Sequence, residues 1–300
     1  MIDLIAKKYL FFIFSGLIII PGTIALILWG LKPAVDFTGG SLIEFQIKNA
    51  SKEVLKEDIK KIAEEQNLEV GSISKTSNNG FLLRLKPIDK NQNQNLNNDL
   101  KKHYGEIEEI RFETVGPTVG QETTKNAIKS VIIASIVIIL YIAWAFRQIP
   151  KPYSSVKFGI VAVIALIHDI LVVVGLFSIF GHFFKVEVDS LFITALLTIM
   201  GFSVHDTIVV FDRIRENLKK IPGVPFPQVV NESILQTLAR SLSTSLTVLF
   251  TLSALLLFGG ETIRWFIITL LIGIISGTYS SIFNAAPLLV IWETKERKNK

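Results

Sequence analysis

Two His-Asp pairs stand inside long apolar stretches of the sequence, where ionisable groups are unexpected. His168-Asp169 lies near the middle of one stretch, and His205-Asp206 lies toward the end of the next. A charged group at the centre of a membrane-spanning helix costs about 2.5–3.5 kcal/mol on insertion scales, so such groups mark ion or proton pathways. Arg240 opens a further apolar stretch and would change the proton occupancy of a nearby Asp by moving toward it or away from it. We therefore predict a proton relay made of Asp206, Arg240, His205, Asp169 and His168.

The same residues permit three other interpretations, which the sequence leaves open. A buried Asp can be a structural clamp between helices. The two His-Asp pairs could ligate a metal ion, although neighbouring residues point about 100° apart on a helix, so each pair would offer one ligand. Ser203 could be the nucleophile of an intramembrane serine protease, but small residues in such helices usually serve close packing. Our prediction is that the chain binds no metal and no cofactor and performs no chemical catalysis.

The elements that must carry these residues are membrane spans. The chain has 300 residues, of which 50% are hydrophobic, 19% are charged and none is Cys. Charged residues make up about 25% of an average soluble domain, so a disordered tail and an ordinary soluble enzyme are excluded. The lack of Cys excludes a disulfide scaffold, thiol catalysis and iron-sulfur clusters. A helix of about 20 apolar residues crosses a bilayer. Six stretches approach that length: residues 10–31, 130–146, 158–180, 190–211, 241–258 and 265–291.

The distribution of basic residues predicts the topology. Residues 32–125 hold 14 Lys/Arg and 15 Asp/Glu, so the net charge of +5 comes from the rest of the chain. There the basic residues flank alternate ends of the apolar stretches, and the positive-inside rule places both termini in the cytoplasm. The first stretch is too long for the core of a signal peptide, so we expect an uncleaved anchor. The predicted segments are 1–31 (tail and first span), 32–125 (extracytoplasmic domain), 126–292 (five spans) and 293–300 (basic tail).

The extracytoplasmic segment alternates between strand and helix patterns. Strands are predicted at residues 41–47, 68–75, 81–86 and 106–115, and helices at 51–66, after a Ser51 cap, and at 96–104. A turn is predicted at residues 77–80, and the Asn/Gln-rich run at 91–98 is interpreted as a polar loop leading into the second helix. The order βαββαβ indicates a small ferredoxin-like α+β domain inserted between the first two spans.

Several motifs resemble the SecF family of protein-export membrane proteins, which belongs to the resistance-nodulation-division (RND) superfamily. They follow one another in order along almost the whole chain. They are VDFTGGS at 35–41, VGPTVG at 115–120, ALIHD at 165–169, GFSVHDTIVVFDRIREN at 201–217, FGG at 258–260 and IGIISGTYSS at 272–281. The resemblance implies six transmembrane helices forming one half of an RND-type assembly.

The resemblance also implies a function, partners and a location. Members pair with SecD, join the SecYEG channel, and use the proton motive force to complete the export of unfolded polypeptides that the SecA ATPase has begun. YajC and YidC are further associated components. The location implied is the bacterial inner membrane. In the family an Asp of the fourth span and an Arg at the start of the fifth are tied to proton conduction, and Asp206 and Arg240 match them. The family often has Asn where this chain has His205.

The number of spans independently predicts a partner. Transporter folds of this kind are commonly built from two related halves, and this chain supplies six spans without a visible repeat. A hinge is expected where the first span meets the outer domain, at Asp36, Phe37, Thr38, Gly39 and Gly40, because two Gly residues permit unusual backbone conformations. The alternatives are a half-transporter that exports small molecules or lipids, and a purely structural assembly factor.

Overall fold

The computed structural model describes residues 3–48, 55–76, 80–147, 149–150 and 152–298. The chain divides into two compact units. One, the membrane unit, comprises Met1–Lys32 and Lys129–Lys300, and the other, the outer domain, comprises Pro33–Ile128.

Among the described residues, six helices are long and apolar enough to span a membrane, as the sequence predicts. They are α1 (Lys8–Trp29), α5 (Pro117–Ala145), α6 (Ser155–Phe184), α7 (Ser190–Lys220), α8 (Phe226–Phe258) and the pair α9 (Arg264–Ser280) and α10 (Ala286–Lys298). Both α5 and α8 begin with several polar turns that precede the predicted apolar stretch. Each helix has a Pro in its first turn, where the backbone N–H has no partner within the helix. The N terminus of α7 is capped by Asp189, whose Oδ1 accepts a hydrogen bond from the Phe192 amide at 2.8 Å.

The sixth span departs from the prediction of one continuous helix. A π-helical turn at Ser281–Ala285 separates α9 from α10. Such turns widen the helix by one residue and occur frequently at functional sites. Apolar periodicity does not reveal a π turn, because the residues on both sides of it remain apolar.

The membrane unit has buried helices at its centre and exposed ones around them. In the apolar windows of α6 and α7 half of the residues are buried, and in the last span 61% are. Only 6% are buried in α5 and 17% in α1 and α8. The exposed side chains of α1 and α5 are mostly Ile, Leu and aromatic residues, which is the composition of a lipid-facing surface. Functional polar residues are therefore expected on α6, α7 and α9.

The outer domain has the predicted α+β fold. Its elements are α2 (Val35–Thr38), β1 (Gly40–Ile47), α3 (Lys56–Glu65), β2 (Val70–Lys75), β3 (Gly80–Leu85), α4 (Lys90–Tyr104) and β4 (Ile107–Val115). The four strands form one sheet in the order β2-β3-β1-β4, and every neighbouring pair is antiparallel. This is the ferredoxin-like arrangement, with its core between the sheet and the two longer helices. The predicted Ser51 cap and most of the predicted 77–80 turn lie outside the described residues.

The helix α4 begins earlier than predicted. The Asn/Gln-rich run is helical from Lys90 rather than a loop. The cause is a capping box: Asp89 accepts a hydrogen bond from the Gln92 amide at 2.8 Å, and the Gln92 side chain accepts one from the Asp89 amide at 2.9 Å. Leu96 and Leu100 then anchor the helix in the core, where both are fully buried.

Candidate functional site

Asp169 is the centre of a buried hydrogen-bond cluster in the membrane unit. It lies on α6 with no exposed surface. Two serines of α9 donate to it, Ser276 to Oδ1 and Ser280 to Oδ2, each at 2.7 Å. Ser203 of α7 donates to Oδ2 at 2.6 Å. The carboxylate therefore connects three central helices through short hydrogen bonds.

His168 continues this cluster toward α1. Its Nδ1 lies 2.9 Å from Asp169 Oδ1. Its Nε2 accepts a hydrogen bond from Asn284 Nδ2 at 2.9 Å, so the ring proton belongs on Nδ1 and is donated to the carboxylate. Ser15 of α1 lies 3.1 Å from Nε2 and also accepts from Asn284, at 2.7 Å. Asp169 thus receives four donors in total.

The backbone of the last span explains how it supplies three of these side chains. Ser276, Ser280 and Asn284 follow one another at four-residue spacing. At about 100° per residue, a regular helix would rotate each successive side chain by about 40° away from α6. The π turn that contains Asn284 winds less per residue and compensates for this rotation. Gly277 lies on the neighbouring face, and a Cβ there would stand 3.1 Å from the Ser203 Cβ, so α9 and α7 can approach closely only because that atom is absent.

Asp206 is buried in a different and sparser environment. It is 2% exposed on α7. Its carboxylate accepts a hydrogen bond from Thr278 Oγ1 at 3.2 Å, and Thr278 is in turn 2.6 Å from Ser245 Oγ of α8. Two hydroxyl side chains, those of Thr278 and Ser245, hydrogen-bond to this carboxylate among the described residues, against four donors for Asp169. The two buried Asp residues are therefore chemically unequal.

The structure brings some of the predicted relay residues together and leaves others apart. His168 and Asp169 are in direct contact. His205 and Arg240 are both exposed on the outer surface of the membrane unit. No ion pair joins Arg240 to Asp206 or to any other acid in the described part of the chain.

The described residues do not have the geometry that a metal site or a serine protease requires. Within the described ranges, no three His, Cys, Asp or Glu side chains gather as metal ligands would. In a hydrolytic triad the His lies between the nucleophile and the acid. Here the Asp169 carboxylate lies between Ser203 and His168, so the imidazole is not placed to accept the Ser203 proton.

A polar stripe runs along the exposed surfaces of α7 and α8. It is exposed where an apolar, lipid-facing surface would be expected, and its spacings of three and four residues keep it on one face of each helix. Its members are Thr194, Thr198, Gly201 and His205 on α7, and Arg240, Thr244, Thr247 and Thr251 on α8.

The predicted hinge is a tightly packed turn within the outer domain. Gly39 has φ of 73° and Gly40 has φ of 133°, values that other residues rarely adopt. At Gly120, near the start of α5, a Cβ would lie 2.8 Å from the Gly39 amide nitrogen and 3.0 Å from the Phe37 oxygen. Thr124 Oγ1 donates to that same oxygen at 3.3 Å. The chain entering the domain and the chain leaving it are therefore in backbone contact.

Sequence reasoning missed most of the hydroxyl and amide residues that surround the two acids. Single Ser and Thr residues in apolar helices usually indicate packing, so they carried no signal one by one. The four-residue spacing of Ser276, Ser280 and Asn284 would have indicated a common polar face in the last span.

Comparisons with known proteins agree with these features. The sequence model of the family described as "Protein export membrane protein SecD/SecF, C-terminal" matches residues 95–295. The protein translocase subunit SecF of Thermobaculum terrenum is 49% identical, over 99% of this chain and 95% of the relative. The protein translocase subunit SecDF of Bacillus subtilis is 37% identical, over 99% of this chain.

The fold is also similar to a solved structure. The crystal structure of SecDF from Thermus thermophilus, described as a translocon-associated membrane protein, superimposes with a TM-score of 0.82 at 32% identity over 98% of this chain. This chain spans 39% of that SecDF chain, and the same share of the Bacillus subtilis SecDF.

Proposed function

Because the chain belongs to the SecF family of protein translocase subunits, we propose that it acts with SecD to promote protein export across the bacterial cytoplasmic membrane. The proton motive force drives this step after SecA has begun translocation through SecYEG. The chain is a transport component rather than an enzyme, and unfolded polypeptide is what it helps to move.

The proposed SecD partner rests on size and on the exposed polar stripe. In the SecDF relatives this chain corresponds to 39% of a longer polypeptide, so a separate SecD chain would supply the rest. His205 and Arg240 belong to a stripe whose exposure to lipid would be costly. A second six-span half that packs on α7 and α8 removes that cost. YajC and YidC are proposed as peripheral components on the strength of the family alone.

The proposed relay centres on Asp206, and the observation that carries this assignment is its sparse hydrogen bonding, from the hydroxyls of Thr278 and Ser245. Small movements of α8 or α9 would change the few contacts of Asp206, whereas four donors from three elements hold Asp169 in a fixed cluster. Arg240 would approach Asp206 when the two halves change their packing. One charge moved across about 100 mV yields about 2.3 kcal/mol, enough to bias such a change. In this mechanism Asp169 and His168 hold the helices around the site.

The proposed orientation places both termini in the cytoplasm and residues 32–125 outside it. The turn of Gly39 and Gly40 against Gly120 would then transmit helix movements to the outer domain, because it joins both of the domain's connections. The outer domain would hold the emerging polypeptide and oppose its backsliding.

The test is completion of export by inverted membrane vesicles that contain SecYEG, SecA, SecD and this chain. We expect Asp206→Asn to abolish the stimulation that a proton gradient gives, while assembly of the complex is unchanged. Asp212→Asn is the matched control, because Asp212 lies on the same helix, is exposed, and pairs with Arg215 at 2.5 Å. Full stimulation in the Asp206→Asn vesicles would refute the relay assignment.

A further inference from the structure

A buried row of hydroxyl groups runs along α8, away from Asp206 and toward the loop that joins α7 to α8. Ser233, Thr237, Ser241 and Ser245 occur at every fourth residue. Their exposed fractions are 0%, 8%, 2% and 2%. This row faces the interior of the membrane unit, opposite to the exposed stripe of the same helix.

The row is anchored at both ends to polar residues of α7. At one end Ser245 contacts Thr278, which donates to Asp206. At the other end Asn217 Nδ2 donates to Ser233 Oγ at 2.9 Å. The 11 residues from Asp206 to Asn217 cover about 16 Å of α7. The 12 residues from Ser245 back to Ser233 cover about 18 Å of α8. The two antiparallel helices are thus in register along the whole row.

Between these ends the row faces mainly apolar residues of α7. The buried residues of α7 at the heights of Ser241 and Thr237 are Val210 and Ile214, both with no exposed surface. Thr237 Oγ1 donates to the Ser233 carbonyl oxygen at 2.9 Å, which leaves its lone pairs available. Ser241 Oγ is fully buried and has no hydrogen-bond partner among the described residues. Internal water molecules bind at buried hydroxyls that lack a protein partner, where there is room and a second polar group is near.

The spacing of the row suits alternating hydroxyls and water molecules. Residues four apart rise about 6 Å along a helix, which is too far for a direct hydrogen bond. Two O–H···O bonds through one water span about 5.5 Å. A hydroxyl both donates and accepts, so it can receive a proton on one side and release another on the other side.

We propose that the α8 hydroxyl row, with water bound at Ser241, is the proton path between Asp206 and the α7–α8 loop end of the membrane unit. This inference rests on the proposed function. The row ends at Ser233, which Asn217 holds in place while it also donates to Gln236 Oε1 at 2.9 Å. The two amides carry no proton in this path, and the proton is exchanged with water at this end of the row. Gln236 accepts from Arg213, whose side chain is 34% exposed, so the row reaches polar residues at the surface.

The test uses proteoliposomes that contain this chain together with SecD, an imposed pH gradient and an internal pH-sensitive dye. Thr237→Val removes a hydroxyl at nearly constant size, and Ser241→Val also fills the water site. We expect each to lower Asp206-dependent proton uptake about tenfold, which corresponds to about 1.4 kcal/mol added to the barrier. Ser243→Val, on the exposed face of α8 and outside the polar stripe, is the control and should change uptake less than about twofold.

Conservative variants separate conduction from packing. Thr237→Ser and Ser241→Thr keep the hydroxyl, and we expect both to retain uptake. If Ser241→Val fails to assemble, Ser241→Ala and Thr237→Val decide the question. Wild-type uptake in these hydroxyl-free variants overturns the path. Uptake that is the same in the wild type and in Asp206→Asn overturns the proposed relay itself, so the two failures are distinguishable.

Discussion

Replacing Asp169 by Asn should destabilise the membrane unit, although the substitution changes neither size nor shape. Each carboxylate oxygen of Asp169 accepts two hydrogen bonds, Oδ2 from Ser203 and Ser280 and Oδ1 from Ser276 and His168. In Asn, one of these two oxygens is replaced by an NH2 group, which is itself a donor. The two groups that donated to that oxygen then face a donor instead of an acceptor. Those two hydrogen bonds must reverse or break.

The size of the effect follows from the number of bonds affected. Hydrogen bonds between membrane helices average about 0.6 kcal/mol and reach about 1.7 kcal/mol. Two short, fully buried bonds belong in the upper part of that range, so the expected loss is about 2 kcal/mol. For a unit of this size that lowers the Tm by about 4–8 °C. Asp206→Asn affects only the contacts with Thr278 and Ser245, and the amide oxygen can still accept the longer bond from Thr278, so its Tm should fall by no more than about 2 °C.

The assay measures the thermal stability of the purified complex in mild detergent. The readout is the fraction of the complex that stays monodisperse after heating to each temperature. Asp169→Asn and Asp206→Asn are heated side by side with the wild type. A Tm for Asp169→Asn that is equal to or higher than the Tm of Asp206→Asn would refute the larger role of the Asp169 hydrogen bonds in stability.

Two further outcomes follow from the outer domain. Gly120→Ala should lower the free energy of unfolding by about 1–3 kcal/mol, because its Cβ would overpack against the Gly39 and Phe37 backbone. Gly116→Ala is the control and should be nearly neutral, because nothing lies within 4 Å of its Cβ. Limited proteolysis compares the two variants, and equal resistance would contradict the packed turn. The pKa of the Asp99 carboxyl is lowered by the hydrogen bond from Lys102 and then by the one from Gln66, so the stability this group contributes is present above its unfolded pKa and is lost as pH falls through the folded value. We expect Lys102→Ala to raise the pKa of Asp99 in a carboxyl-carbon NMR titration, and an unchanged titration would contradict the contact.

The parts of the fold that depend on long apolar or alternating patterns could be predicted from the sequence. The membrane spans follow from apolar length, and the βαββαβ domain follows from strand and helix periods. The predicted start of α4 was wrong, because the Asn/Gln-rich composition suggested a loop and the capping pair Asp89 and Gln92 was overlooked. The π turn escaped prediction because it changes backbone geometry and leaves the apolar pattern intact.

The acids of the candidate site could be predicted because their cost in a membrane makes them conspicuous. Their difference in role could not, since it depends on how many donors from other helices reach each carboxylate. Arg240 was predicted as the partner of Asp206 from motif position, and the structure places it on an exposed face instead. Contact between them remains a prediction for an assembled complex.

The central claim is that this chain is one half of a translocase whose other half is SecD. The most direct measurement is purification of the chain from native membranes after mild solubilisation, with mass spectrometry of the intact complex. We expect SecD in equal amount, and we expect a bulky residue at Thr247, on the exposed stripe, to remove it. Recovery of the chain alone or as a complex of identical copies, without SecD, would contradict the account.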